Sequence, residues 1–153
     1  MVRLADMHEA GRASALELEC PSFDDKPFVA AGPASQRHVA LISSAGLVKR
    51  GDKPFKGGDA TYRSFPSAVE NEDILISHIS VNFDRTAALR DIETIFPRRL
   101  LSRMAADGEI ASAADTHYSF MGATDPAAME ANATELAASL AQQGIDTAVF
   151  LPV

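Results

Sequence analysis

Residues 124–151 read TDPAAMEANATELAASLAQQGIDTAVFL, and this stretch constrains the fold more than any other. Asp125 is placed to cap a helix and Pro126 fits its first position. Met129, Ala133, Leu136 and Leu140 recur at helical spacing and predict one apolar face. Gly144 then supplies the left-handed residue on which such helices end. A run of β-branched and aromatic residues, 146–151, follows after a single short turn and predicts a buried strand. A helix feeding directly into a strand is one half of a right-handed parallel crossover.

The rest of the chain supplies partners for that strand. RHVALIS (37–43) predicts a buried strand, DILISHI (73–79) a second, and TYRSFP a further short one. FPRRLLSRMAADGEI predicts a helix with Pro97 in its first turn, Leu100, Leu101 and Met104 inward, and Gly108 at its stop. Leu4, Met7, Gly11, Ala15 and Leu18 outline a weak amphipathic helix interrupted at Gly11, followed by an extended, proline-rich arm. Between the first two strands, LVKRGDKPFKGGDATYRSFP predicts a long loop of the kind that carries function. The expected fold is therefore α/β: a single domain with a mainly parallel sheet of about four strands, helices on its faces, and a Rossmann- or flavodoxin-like plan. Residues 1–36 would form the helix and arm, and residues 37–153 the α/β domain.

The 153 residues carry a net charge of −7, which offers no electrostatic footprint for nucleic acid or an anionic membrane. HVALI and DTAVFL are far too short to span a bilayer, and MVRLADMHEAGR lacks the apolar centre of a secretory signal. The single cysteine, Cys20, excludes an internal disulfide and points to a reducing, cytoplasmic setting. Acidic neighbours in ELECPSFDD argue that Cys20 is an inert small hydrophobe rather than a nucleophile.

Three stretches carry candidate chemistry. In LISSAGLVKRGD, Ser43, Ser44 and Gly46 would offer hydroxyls and amide groups to an anion, with Lys49 and Arg50 adding charge. The same small residues also serve simply to turn the chain at a sheet edge, and neither dinucleotide nor Walker spacing is present. In ISHISVNFDRT, His78 stands at a strand end with Asn82, Asp84 and Arg85 close behind, as a proton-transfer or substrate-orienting group requires. Local pairing of Asp84 with Arg85, and a backbone-bonded His78, is the structural alternative. DTHYSFMG brings His117, Tyr118 and Ser119 together before the long helix, while Phe120 and Met121 read as core. His8, His38, His78 and His117 show no metal-binding spacing, so no metal is expected.

HVALISSAGLVKRGDKPF, DILISHISVNFDRTAALRDIETIFPRRLLSRMAADGEIAS and THYSFMG resemble, in that order and with similar gaps, the selenoprotein B family of glycine, sarcosine, betaine and D-proline reductases. The resemblance covers about residues 37–153 and is closest to the family's short stand-alone members. It implies an α/β fold and reductive carbon–nitrogen cleavage through a selenocysteine or cysteine in a U/C-x-x-C motif. A pyruvoyl group, where one is used, resides on a separate subunit. This sequence contains no C-x-x-C, so by the resemblance no catalytic redox residue is expected within it.

The resemblance aligns TAVFLPV with the strand that leads into the redox motif. It thus leads one to expect a UGA codon read as selenocysteine directly after Val153, followed by a helix. Ser44, Gly46, Arg50, His78, Asp84, Arg85, His117 and Tyr118 would then gather at the strand ends and hold an anionic substrate. The alternative is a non-catalytic partner or small anionic-ligand binding subunit, with a phosphate or nucleotide binder third. Expected partners are a second copy in a homodimer, and a separate reductase subunit or thiol electron donor.

Overall fold

The computed structural model describes residues 3–17, 22, 29–81 and 83–153. Its main sheet is organised around one central strand, β1 (His38–Ser43). Strand β7 (Thr147–Leu151) pairs with β1 in parallel over its whole length, Val39 opposite Thr147 through Ser43 opposite Leu151. The other edge of β1 takes β5 (Ser112–Ala113) and then β6 (Thr116–Phe120), both parallel. Between these two pairings β1 runs from Val39 to Ile42 while its partner runs from Ala113 to Tyr118. The partner therefore carries two extra residues, Ala114 and Asp115, in a bulge. β3 (Tyr62–Pro66) closes the far edge antiparallel to β6.

The result is a mixed α/β sheet, parallel at its centre with one antiparallel edge, and the mainly parallel Rossmann plan holds only in part. Two strand assignments change with it. The 73–79 segment does not enter this sheet. Its ordered part, β4 (Ile74–Ile76), pairs antiparallel with β2 (Leu47–Lys49) in a separate two-stranded ribbon. The cause is local: Gly46 has φ +62°, which redirects the chain straight after β1 into β2. THYSF, expected to be a polar cluster before a helix, is instead strand β6.

Parallel pairing keeps opposed side chains on one face, so the sheet's two faces can be read from the register. Val39 and Leu41 pack with Phe65, Phe96 and Leu101 on one face. There lie α3 (Arg98–Ala106), the five-residue α2 (Thr86–Arg90) and a 3₁₀ turn at Ile92–Thr94. Pro97 and Gly108 bracket α3 as expected, but Leu100 is exposed. Leu101, Met104 and Ala105 form the packed stripe, and Leu100 lies about 100° around the helix from Leu101.

The opposite face carries Ala40, Tyr118 and Phe120 against Leu136 and Leu140 of α4 (Pro126–Gln142). Here the Asp125 carboxylate accepts from the Ala127 amide, Pro126 begins the helix, and Gly144 takes φ +75° at its end. The expected N-terminal helix is α1 (Glu9–Glu17), which runs through Gly11 and follows a 3₁₀ turn at Leu4–Asp6. Cys20, Asn82 and most of the expected arm lie outside the described residues.

Candidate functional site

Ser44 sits where the carboxyl ends of β1, β6 and β7 meet. Its amide donates to the Leu151 carbonyl at 3.1 Å, and its own carbonyl accepts from the Gly122 amide at 2.8 Å. Its hydroxyl accepts from the Val153 amide at 3.0 Å. The Ala45 amide is held by the Ser43 hydroxyl at 3.2 Å, and the Gly46 amide donates to the Phe120 carbonyl at 2.8 Å. Successive amides from Ser44 to Gly46 are thus spent on knitting strands together. The expectation that this turn presents free amides to an anion does not hold, because the strand ends it joins would otherwise lack partners.

Glycine allows the knot to close. A Cβ on Gly122 would lie 2.7 Å from the Ser44 carbonyl oxygen. One on Gly46 would lie 2.8 Å from Met121 Cε and 3.1 Å from His78 Cα. The same contact brings His78 to the carboxyl edge. The Ser77 amide, donating 2.9 Å to the Gly46 carbonyl, fixes the approach.

His78 is buried, with its ring tilted against Phe83 at 4.9 Å between centroids. Its Nδ1 accepts from the Ser80 amide at 3.1 Å. The Arg85 guanidinium donates to the His78 carbonyl at 2.6 Å and to the Ser80 carbonyl at 3.1 Å, tying the loop into a closed bend. Burial, and then the charge of Arg85, lower the His78 pKa below its ordinary 6.5, so the ring is neutral at pH 7. The local alternative weighed for His78 is therefore present, while the Asp84–Arg85 pairing is not. Asp84 instead accepts from the Thr86 amide at 2.9 Å, and the Thr86 hydrogen bonds hold its carboxyl below the usual range.

Of the eight candidate residues, Ser44, Gly46, His78 and Arg85 form one cluster. Arg50 lies at the far end of the ribbon, because β2 runs away from Gly46; it pairs with Asp73 at 3.0 Å and donates to the Glu72 carbonyl at 2.8 Å. Asp84 is exposed on the following turn. His117 and Tyr118 sit inside the sheet on opposite faces, as neighbours in a strand must. His117 Nδ1 accepts from the Leu41 amide at 3.2 Å, and burial, with Arg98 nearby, pushes its pKa down to about 4. Tyr118 packs edge-on to Tyr62 at 5.5 Å.

Sequence reasoning missed Gly122 and the groove beside it. An open apolar groove of about 440 Å³ runs along the α4 face from the Ser44 knot, lined by Met129, Ala133, Leu136, Ala148, Phe150 and Leu151 among others. Phe150 is 71% exposed there, at the sheet edge formed by β7. The signal was present in DTAVFL, since a strand apolar at every position after Thr147 needs cover on both faces. Among the described residues, no cluster of three or more His, Cys, Asp or Glu is placed to hold a metal ion. No helix among them is long and apolar enough to cross a membrane.

Comparison with known proteins decides the lineage. The family model "Glycine/sarcosine/betaine reductase selenoprotein B" matches residues 9–152. The chain belongs to this family. The selenoprotein B match extends beyond the α/β region into α1. Among curated proteins, the chain is 29% identical over 115 residues to the D-proline reductase subunit gamma of Acetoanaerobium sticklandii (strain ATCC 12662 / DSM 519 / JCM 1433 / CCUG 9281 / NCIMB 10654 / HF). That alignment covers 73% of this chain and 47% of the relative, so the chain spans about half the relative's length. No solved structure matches.

Proposed function

We propose that this selenoprotein B chain is the scaffold of a selenol- or thiol-dependent oxidoreductase acting on a small anionic substrate. The substrate is held at the carboxyl edge of β1 and β6, and the redox residue is supplied beyond Val153. The supporting observation is the convergence of the ends of β1, β6 and β7 on Ser44 in a member of this reductase family. In open α/β sheets, ligands bind beyond such strand ends. Among the curated proteins, the relative named as a D-proline reductase subunit gives the reaction class its direction.

Two features of the edge bear on that chemistry. The groove beside Ser44 is apolar and carries no charged side chain, which would keep water from the reacting groups. The Arg85 guanidinium bound to the His78 carbonyl brings the positive charge that favours a selenolate or thiolate. A selenol and a thiol three residues apart would supply two electrons and two protons as they oxidise to a selenenyl sulfide. A dithiol donor, itself oxidised to a disulfide, would then return the two electrons and two protons. This chain's own part is to orient the anion and to keep the edge dry. No pyruvoyl group belongs to this chain under this reading.

The test is direct. The locus should carry UGA after the Val153 codon and an in-frame cysteine codon three positions further on. Expression in a selenium-inserting host should give a longer, selenium-labelled product. UAA or UAG at that position removes the readthrough part of the proposal. The second reading, a non-catalytic subunit, is supported by the exposed Phe150 edge. It predicts co-purification of this chain with a separate catalytic subunit from its native cell, and loss of that partner on Phe150→Asp. A two-fold homodimer through the same edge is a third outcome of that experiment, read by sedimentation.

A further inference from the structure

The side chain of His78 has one ring nitrogen accounted for and one not. Because a backbone amide can only donate, the bond from Ser80 N makes Nδ1 an acceptor. The proton of a neutral ring then sits on Nε2. That Nε2 is buried and has no hydrogen-bond partner among the described residues. A buried donor left in this state costs about 1–3 kcal/mol, and native folds keep few of them without a reason. Two features hold His78 in place against that cost: the pair of hydrogen bonds that Arg85 donates to the His78 and Ser80 carbonyls, and the tilted contact with Phe83.

We infer that His78 is a fixed, neutral Nε2–H donor for the carboxylate of a small ligand lodged beside the Ser44 knot. The ligand's charge follows from the surroundings. Arg85 is beside the ring. The Lys53–Gly58 loop is bound to the same bend through the Phe55 amide, which donates to the Ser77 hydroxyl at 2.8 Å. A Cβ on Gly57 would lie 3.9 Å from Ile79 Cδ1, so this loop and the bend run side by side. Lys53 and Lys56 are therefore carried to this rim, and both are exposed. Asp59 is already engaged by Arg63 at 3.0 Å and Asp52 by Lys49 at 3.7 Å, which leaves Asp84 as the opposing exposed charge. In a chain of net charge −7 this rim is locally cationic. A neutral donor flanked by cations selects an anionic acceptor, and no proton transfer is needed.

The inference rests on the reading of the carboxyl edge as the site, yet it can fail alone. The experiment is a long-range ¹H–¹⁵N spectrum of the labelled chain, titrated with sodium acetate against sodium chloride at constant ionic strength. His78 should appear as the Nε2–H tautomer. Acetate should shift its Nε2–H proton saturably and slow its exchange, and chloride should not. Arg85→Met should weaken the acetate response about tenfold, as expected for loss of one charge-assisted contact. His78→Gln, which keeps an amide donor, should retain part of the binding measured by calorimetry. An Nδ1–H tautomer overturns the inference, as does an identical response to acetate and chloride. A high-resolution structure showing Nε2 donating to one ordered water that acetate never displaces overturns it as well. None of these readouts needs a redox residue, so they separate His78 from the failure or success of the selenium test.

Discussion

His117 makes a pH prediction whose size follows from its surroundings. The residue is 1% exposed in β6, it faces Phe96 at 6.1 Å between ring centroids, and its Nδ1 is used by the Leu41 amide. Charging this ring means placing a cation in an apolar core near Arg98 and losing its acceptor nitrogen. That is why its pKa falls from the ordinary 6.5 to about 4. In the unfolded chain the ring protonates near 6.5, so between pH 6.5 and 4 the unfolded state binds the proton and the folded state does not. Stability therefore falls as pH falls through that window, and the full difference is about 3 kcal/mol. Above pH 6.5 this residue contributes no slope.

The assay is urea unfolding at intervals from pH 7.5 to 4, on the natural chain and on His117→Asn. The asparagine Oδ1 can replace Nδ1 as acceptor for Leu41. The variant should be less stable at pH 7 because it leaves ring volume unfilled, by about 1–3 kcal/mol. Its stability curve should also lose most of the acid slope. His78, also held below its ordinary pKa, keeps part of that slope in both proteins, so the difference between the two curves isolates His117. Parallel curves across the window would refute the assignment, as would a His117 ring that titrates near 6.5 by NMR.

Other substitutions probe the carboxyl edge and its boundaries. Gly46→Ala should destabilise by about 3 kcal/mol, since it adds left-handed strain to a clash with Met121 and the His78 backbone; chemical denaturation reads it. Gly122→Ala pushes against the Ser44 carbonyl and should cost about 1–3 kcal/mol, with broadening of Ser44 and Leu151 amide signals. Arg50→Ala should change stability by less than about 1 kcal/mol and leave acetate binding unaltered, because its pair with Asp73 is exposed and remote from Ser44. Asp125→Ala removes the cap of α4 and should lower stability by about 1 kcal/mol in thermal unfolding.

What was legible in the sequence was what local chemistry dictates. The α4–β7 unit announced itself through Asp125, Pro126 and Gly144, and all three stand where their backbone preferences place them. β1 was legible from its unbroken apolar run. The partners of β4 were not, because ILI carries the same β preference in a sheet centre or in a ribbon, and only the turn at Gly46 decides. THYSF was misread for a related reason. Its alternation buries His117 and Ser119 as fully as Tyr118 and Phe120, and polar residues satisfied by a neighbouring strand look like site residues in a linear chain. Of the site, His78 and Arg85 could be named but not their roles. The carbonyl clamp depends on how the chain bends between His78 and Arg85, and the shared Gly46 contact arises between segments about 30 residues apart.

The bulge at Ala114 and Asp115 sets a reading frame for the strand beyond it. Two residues are one full period of side-chain alternation, so the insertion shifts β6 along β1 without turning it over. Removing both residues would preserve which side chains face α4. Removing Ala114 alone would invert the frame from Thr116 to Phe120, carrying Tyr118 and Phe120 toward Phe96 and turning His117 toward Leu136. Length changes in this segment are thus tolerable only in even steps, a parity rule imposed on the gene by a core that differs on its two sides.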